Sequence, residues 1–426
     1  MISDSKILKI TKIFFAGQLF FNVTSAFLSP YGGGVNNASY ALRILFILYI
    51  SKCILSLSYP SILRSNTIYL YGTRIPIFLS ISLFYSILCY GNPSALISKI
   101  FPTFFLLLEG LLFLSIGYHV EKNTYLKEKV FDLFRKYAVI SCIWMTLLSG
   151  YIMIFMGGLQ SFWDTARHAN HTYDIVLNVY KNVNPYRFAI FIPFFFLKRN
   201  RWNIPLVVMS CVNILAVGKK GPLLAIALSG LIVFIFNKQG KLKFIKYLSV
   251  AFLLFYVYIT FIDTNIFDAM LYRLDMDQHY QDDKTTFYMS GRNTLWDMVL
   301  TSFLSGSIVN KTLGFGVDAV GSYLMAAVKL NNAHNDWVEI LYNYGIVGFL
   351  IYAFFFISVT RSCWSLKYYN TKYFLTSLYL VCFSFVSTFY TVESYGGLAA
   401  PGYGFVLFSF ICGCKKYIQS VGTERG

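Results

Sequence analysis

Apolar stretches of about twenty residues recur along the whole chain, and such a stretch crosses the hydrocarbon core of a bilayer as a helix. Charge is correspondingly scarce. The 426 residues are 57% hydrophobic and 13% charged, against about 25% charged in an ordinary soluble domain. That is too little to clothe a water-facing surface of this size. Spans are expected at 10–29, 42–62, 75–91, 98–118, 137–157, 186–198, 202–218, 220–236, 244–262, 343–361, 373–391 and 400–418. The segment 186–198 is short, and 202–218 and 220–236 have almost no loop between them, so re-entrant or broken elements stay open there. The expected fold class is all-α: one polytopic integral membrane domain over 1–426 with about twelve transmembrane helices.

Cytoplasmic loops concentrate Lys and Arg. Basic residues gather at Lys6, Lys9 and Lys12, then at Arg64 and Arg74, then at Lys122, Lys127, Lys129, Arg135 and Lys136. They return at Lys198, Arg199 and Arg201, at Lys238, Lys241, Lys243 and Lys246, at Arg361, Lys367 and Lys372, and at Lys415 and Lys416. In a twelve-span arrangement every cluster falls on one side, which puts both termini in the cytoplasm. The net charge of +17 is therefore a topology signal. Dispersed over many short loops, it does not describe a nucleic-acid surface. No small-residue cleavage pattern follows the first apolar stretch, so an uncleaved first helix is expected. The eight cysteines sit in or beside spans, without a disulfide framework or metal-ligand spacing.

Two connections on the opposite side are long: a small loop at 158–185 and a large one at 263–342, between the ninth and tenth spans. Loops of that length are usually functional. The large one holds ten of the 19 acidic residues and five basic ones, among them Arg292. It contains helical pieces. SGRNTLWDMVLTSFL, with Ser290 as a cap, places Leu295, Met298, Val299 and Phe303 at helical spacing. A second piece, NAHNDWVEILYNYG, starts at Asn332 and runs into the next span.

Four elements stand in order along the second half: Gly218-Lys219-Lys220-Gly221-Pro222, SGRNTLW at 290–296, Gly314-Phe315-Gly316, and AHNDWVEILYNYGIVG at 333–348. Together they resemble the O-antigen ligase/polymerase superfamily. Its pattern is a basic residue at the outer end of a mid-chain span, a Gly-Arg followed by Trp in a large periplasmic loop, a Gly-x-Gly, and a His-Asn leading into a Gly-rich span. Where Arg is common in the first element, this chain has Lys219 or Lys220. The motifs cover about 130 residues, and topology extends the likeness to most of the chain. The resemblance implies a GT-C-like membrane fold in the bacterial inner membrane. It also implies action on undecaprenyl-pyrophosphate-linked glycans at the periplasmic face, with no cofactor.

The residue types suit that chemistry. A pyrophosphate-linked donor already carries an activated sugar. The enzyme must neutralise the leaving group and deprotonate an acceptor hydroxyl. Arg292 suits the first task through its planar fork, and Lys219 or Lys220 as point charges. Charges aimed at developing negative charge usually contribute most to the rate. His334 suits the second task as general base or acceptor-orienting group. Each also has a plainer reading: the lysines as interfacial anchors, Arg292 as a surface residue of a loop helix, His334 as a packed residue before a helix.

Weaker signals surround these. Arg167, His168 and His171 in the small loop are secondary substrate contacts in this reading, since two histidines alone make a poor metal site. Trp296 and Trp337 can stack on sugars or pack in a core. Asn335 is read both as a substrate contact and, with Asp336, as a helix cap. Asp275-Met276-Asp277 and Asp282-Asp283 are read as solvated acidic stretches. Gly345 and Gly348 read as close helix packing. The expected function is an O-antigen or capsule-like polysaccharide polymerase, a glycosyltransferase. Its partners are the lipid-linked donor and acceptor, membrane lipid and, as a candidate, a chain-length regulator. The ligase of the same superfamily, acting on lipid A-core, stays open. A flippase or transporter is the alternative of another class, though no internal symmetry supports it.

Overall fold

The computed structural model describes residues 3–28, 33–57, 60–90, 93–155, 189–190, 192–193, 205–210, 220–236, 292–328, 333–389 and 402–423. Among these every regular element is a helix: α1 (Asp4–Leu28), α2 (Gly33–Ser56), α3 (Thr67–Tyr90), α4 (Pro93–Val120), α5 (Thr124–Phe155), α6 (Lys220–Phe236), α7 (Arg292–Ser305), α8 (Ile308–Leu313), α9 (Ala319–Val328), α10 (Asp336–Leu366), α11 (Thr371–Ser387) and α12 (Gly402–Thr423), with a 3-10 turn at Ser61–Ser65. The expected spans at 186–198, 202–218 and 244–262 lie largely or wholly outside the described residues. Three of the described helices are long and apolar enough to cross a membrane: Thr67–Cys89, Thr103–Val120 and Asp336–Leu366.

Among the described helices, four begin at an asparagine. The Asn66 side chain accepts from the Ile68 amide and that of Asn123 from Tyr125 and Leu126. Asn335 accepts from Trp337 and Val338, and Asn370 from Lys372 and Tyr373. Each side-chain oxygen satisfies amides that the first helical turn leaves without a partner. These caps explain why helices start earlier than the apolar runs suggest. α5 opens thirteen residues before the expected span at 137, through a charged stretch. Its Leu126, Val130 and Phe134 recur every four residues and are fully buried, so one apolar stripe carries the helix through the charges.

The chain divides into two compact units. The first comprises Met1–Cys53 and Asn123–Met276. In it α1 packs on α5: Phe15 meets Phe134 edge-on at 5.3 Å and Tyr137 at 4.7 Å. Asn123 Nδ2 donates to Asp4 Oδ2 at 2.6 Å.

The second unit comprises Ile54–Lys122 and Asp277–Gly426. Its most extensive helix pair is α4 with α12. A Cβ on Gly117 would lie 2.0 Å from the Phe410 carbonyl oxygen, and one on Gly413 would lie 2.1 Å from that of Leu114. The two backbones therefore touch, which only glycine allows. On α3, Ile77, Ile81, Phe84 and Leu88 form a stripe more than 60% exposed. Ile346, Leu350, Phe354 and Ile357 do the same on α10, at 45% exposure or more. Such stripes promote association in water and are satisfied by acyl chains.

Candidate functional site

The described part of the large loop, α7 to α9, folds onto the first turns of α10. Val299, Phe303, Val320, Leu324, Ala333, Val338 and Tyr342 form one buried cluster, with Leu295, Trp296, Phe315 and Tyr323 packed against it. Of the expected stripe of α7, Val299 and Phe303 lie in this cluster, Leu295 packs against it, and Met298 is half-buried. α7 itself begins at Arg292, and the proposed cap Ser290 lies outside the described residues.

The Gly-Phe-Gly motif is a backbone dock. α8 is capped by Ser307, whose hydroxyl accepts from the Asn310 amide, and ends at Gly314 with φ 86°. α10 is broken at Gly345, with φ 65° and ψ −166°. The loop takes up two α10 carbonyls just before the break: the Phe315 amide donates to Tyr342 O at 2.9 Å and the Gly316 amide to Asn343 O at 3.0 Å. The Val320 amide donates to Asn343 Oδ1 at 2.9 Å, and the Phe315 ring stacks on Tyr342 at 4.5 Å. The Val317 amide donates to Ser86 Oγ of α3 at 2.8 Å. Gly314 and Gly345 are reciprocal: a Cβ on either would fall 2.2–2.3 Å from backbone of the other segment. The sequence reading of Gly345 and Gly348 as helix–helix spacing is replaced here. Gly345 supplies a positive φ at the helix break, and a Cβ on Gly348 would strike Tyr344 of its own helix.

His334 lies at the mouth of α10. Its φ is 55°, in the left-handed region, and it is partly exposed between buried Ala333 and Asn335. The backbone around it is tied on every side. The Ala333 amide donates to Glu339 Oε1 at 2.7 Å, and the Ala333 carbonyl accepts from Trp296 Nε1 at 2.8 Å. The Asp336 amide donates to Thr388 O at 2.9 Å, and Trp337 Nε1 to Thr388 Oγ1 at 2.8 Å. Trp337 sits among Phe349, Tyr352, Phe356, Phe385 and Phe389. Asn335 is the N-cap already described, so its carbonyl oxygen serves the helix.

Of the sequence candidates, the fold brings together His334, Asn335 and Trp296. Arg292 opens α7 four residues before Trp296, and its side chain lies outside the described ones. Lys220 opens α6 with its side chain likewise outside, and Lys219, Arg167, His168 and His171 lie outside the described residues. So do Asp275, Asp277, Asp282 and Asp283. Among the described residues no group of three or more His, Cys, Asp or Glu is placed to hold a metal ion. Sequence reasoning missed Glu339 and Asn343, both buried and both hydrogen-bonded to backbone amides of the loop. A carboxylate in the first turn of an apolar helix was the available signal for Glu339.

The family model described as O-antigen ligase matches residues 205–353. The match takes in Lys219, Lys220, Arg292, the Gly-Phe-Gly dock, His334 and the break in α10. It agrees with the superfamily resemblance carried by the ordered motifs. No curated protein matches the chain.

Proposed function

We propose that this chain, which carries the O-antigen ligase family match over 205–353, is a polysaccharide polymerase of the bacterial inner membrane. It joins undecaprenyl-pyrophosphate-linked O-antigen or capsule-like repeat units at the periplasmic face. The observation that carries the reading is the coincidence of that match with a partly exposed histidine, His334, held in a left-handed conformation just before α10. The acceptor hydroxyl oxygen forms a bond to the anomeric carbon of the donor sugar. The bond from that carbon to the pyrophosphate oxygen breaks, and undecaprenyl pyrophosphate leaves. His334 receives the hydroxyl proton or orients the acceptor. Arg292 takes the charge that develops on pyrophosphate, a role the sequence pattern shares with Lys219 or Lys220. Arg167, His168 and His171 assist in holding glycan or lipid phosphate. A chain-length regulator is a candidate partner, and both termini face the cytoplasm in this reading.

The ligase is the second reading, because the matching family model bears that description. The two reactions share the donor and differ in the acceptor. Surface-glycan electrophoresis from a deletion strain separates them. Core plus a single repeat in the deletion, and a ladder restored by wild type but by neither Arg292→Ala nor His334→Ala at equal membrane levels, is the polymerase result. Polymer retained on undecaprenyl pyrophosphate with bare lipid A-core is the ligase result. An unchanged ladder in the deletion refutes both and points to a flippase or transporter. Full activity of both variants refutes the residue assignment.

A further inference from the structure

Glu339 is a buried carboxylate, 2% exposed, in the first turn of α10. Burying a carboxylate is costly unless it is hydrogen-bonded. The usual use of an acid there is to cap its own helix, yet Asn335 already satisfies the Trp337 and Val338 amides. Glu339 instead reaches back past the cap and past His334 to the Ala333 amide. From the other side, the Trp296 indole of α7 holds the carbonyl of the same residue. Both backbone polar groups of fully buried Ala333 are therefore gripped by side chains from two helices. The next residue, His334, holds a left-handed conformation that is uncommon for a residue with a side chain and persists only where its surroundings impose it. Downstream, the Asn335 cap and the bond from the Asp336 amide to Thr388 O close the frame.

From this geometry we infer that Glu339 and Trp296 are positioning residues: they clamp Ala333 and so fix the direction in which His334 presents its imidazole to the acceptor. The inference rests on the reading of His334 given above. It assigns Glu339 the work of a hydrogen-bond acceptor for the Ala333 amide. A side chain aimed wrongly by about 1 Å loses on the order of 100-fold in rate.

The test uses the full-length protein in liposomes. The substrate is lipid-linked repeat units extracted from a strain lacking the gene, and protein in the bilayer is measured by immunoblot. Glu339→Ala lowers kcat by on the order of 10- to 100-fold with KM changed about twofold or less. Glu339→Gln keeps an acceptor oxygen at the same reach and recovers most of that loss. Trp296→Phe keeps the ring but removes the donor; it lowers kcat in the same way and covers the case in which Glu339→Ala fails to accumulate. In a His334→Ala background neither change reduces residual turnover further, which a general structural role would not predict. If Glu339→Ala and Trp296→Phe turn over like wild type while His334→Ala is inactive, the clamp is refuted and the reading of His334 stands. A Glu339→Gln variant as slow as Glu339→Ala also refutes it. Full activity in His334→Ala refutes both together.

Discussion

Placing a methyl group on Gly345 tests the dock between the Gly-Phe-Gly turn and α10. The added Cβ would lie 2.3 Å from Thr312 O, 2.4 Å from Thr312 C and 2.6 Å from Gly314 N. Real Cβ atoms essentially never come within 3.0 Å of such neighbours, so all three contacts lie well inside that limit. All three atoms are backbone and cannot rotate away. With ψ at −166°, the φ of 65° is a conformation essentially reserved for glycine, and it costs a residue with a Cβ about 1–2 kcal/mol. Overpacking adds about 1–3 kcal/mol. If the turn recoils instead, the Phe315 and Gly316 amides leave Tyr342 O and Asn343 O, at about 1 kcal/mol each. Either route puts Gly345→Ala about 2–5 kcal/mol below wild type, a large part of a typical stability of 5–15 kcal/mol, roughly. The assay is survival of the monodisperse peak after heating, followed by size-exclusion fluorescence of a tagged protein in detergent. Leu350→Ala, on the exposed stripe of the same helix, is the control and stays near wild type. A Gly345→Ala protein that melts with the control would falsify the close approach of turn and helix.

Other perturbations follow from single contacts. Asn335→Ala removes the α10 cap and costs about 1 kcal/mol in the same melting assay, while Asn335→Asp keeps most of it; equal melting of the alanine variant and wild type refutes the cap. Thr388→Val leaves the Trp337 indole N–H without its acceptor and lowers stability by about 1–3 kcal/mol, with no such loss when Trp337 is already Phe. Ser86→Ala strips the Val317 amide of its partner and loosens the loop, read as faster proteolysis between α7 and α10. Gly413→Leu forces α12 off α4 and lowers the yield of folded protein more than Leu147→Ala at an exposed position of α5.

The three described helices long and apolar enough to cross a membrane were legible because a run of apolar residues of that length has almost no other use. Helix starts were not, because they depend on caps and on short amphipathic turns. The charges of Lys127, Lys129 and Arg135 read as a loop, while the stripe of Leu126, Val130 and Phe134 that makes the same segment helical is only three residues strong. At the site, Arg292 and His334 stood out because their chemistry is scarce in an apolar chain. Trp296 read as a sugar contact or as a packed core residue, and the sequence could not show its partner, because its bond to Ala333 joins residues 37 apart. Glu339 was one acid among ten in the large loop, since its partner is a backbone amide, a group every residue has. Gly345 was singled out for the right absence of a side chain, but its positive φ depends on a turn thirty residues upstream.

The glycine contact between α4 and α12 also sets a schedule. α12 is synthesised roughly 300 residues after α4, which at about 5–20 residues per second is a wait on the order of half a minute. Until then the groove at Gly117 has not met the Phe410 backbone that fills it in the finished protein. Assembly order within this unit therefore runs against chain order: its early helices are inserted first and completed last. Slower or faster synthesis between residues 120 and 402 is therefore expected to change the yield of folded protein, with no residue of the protein changed.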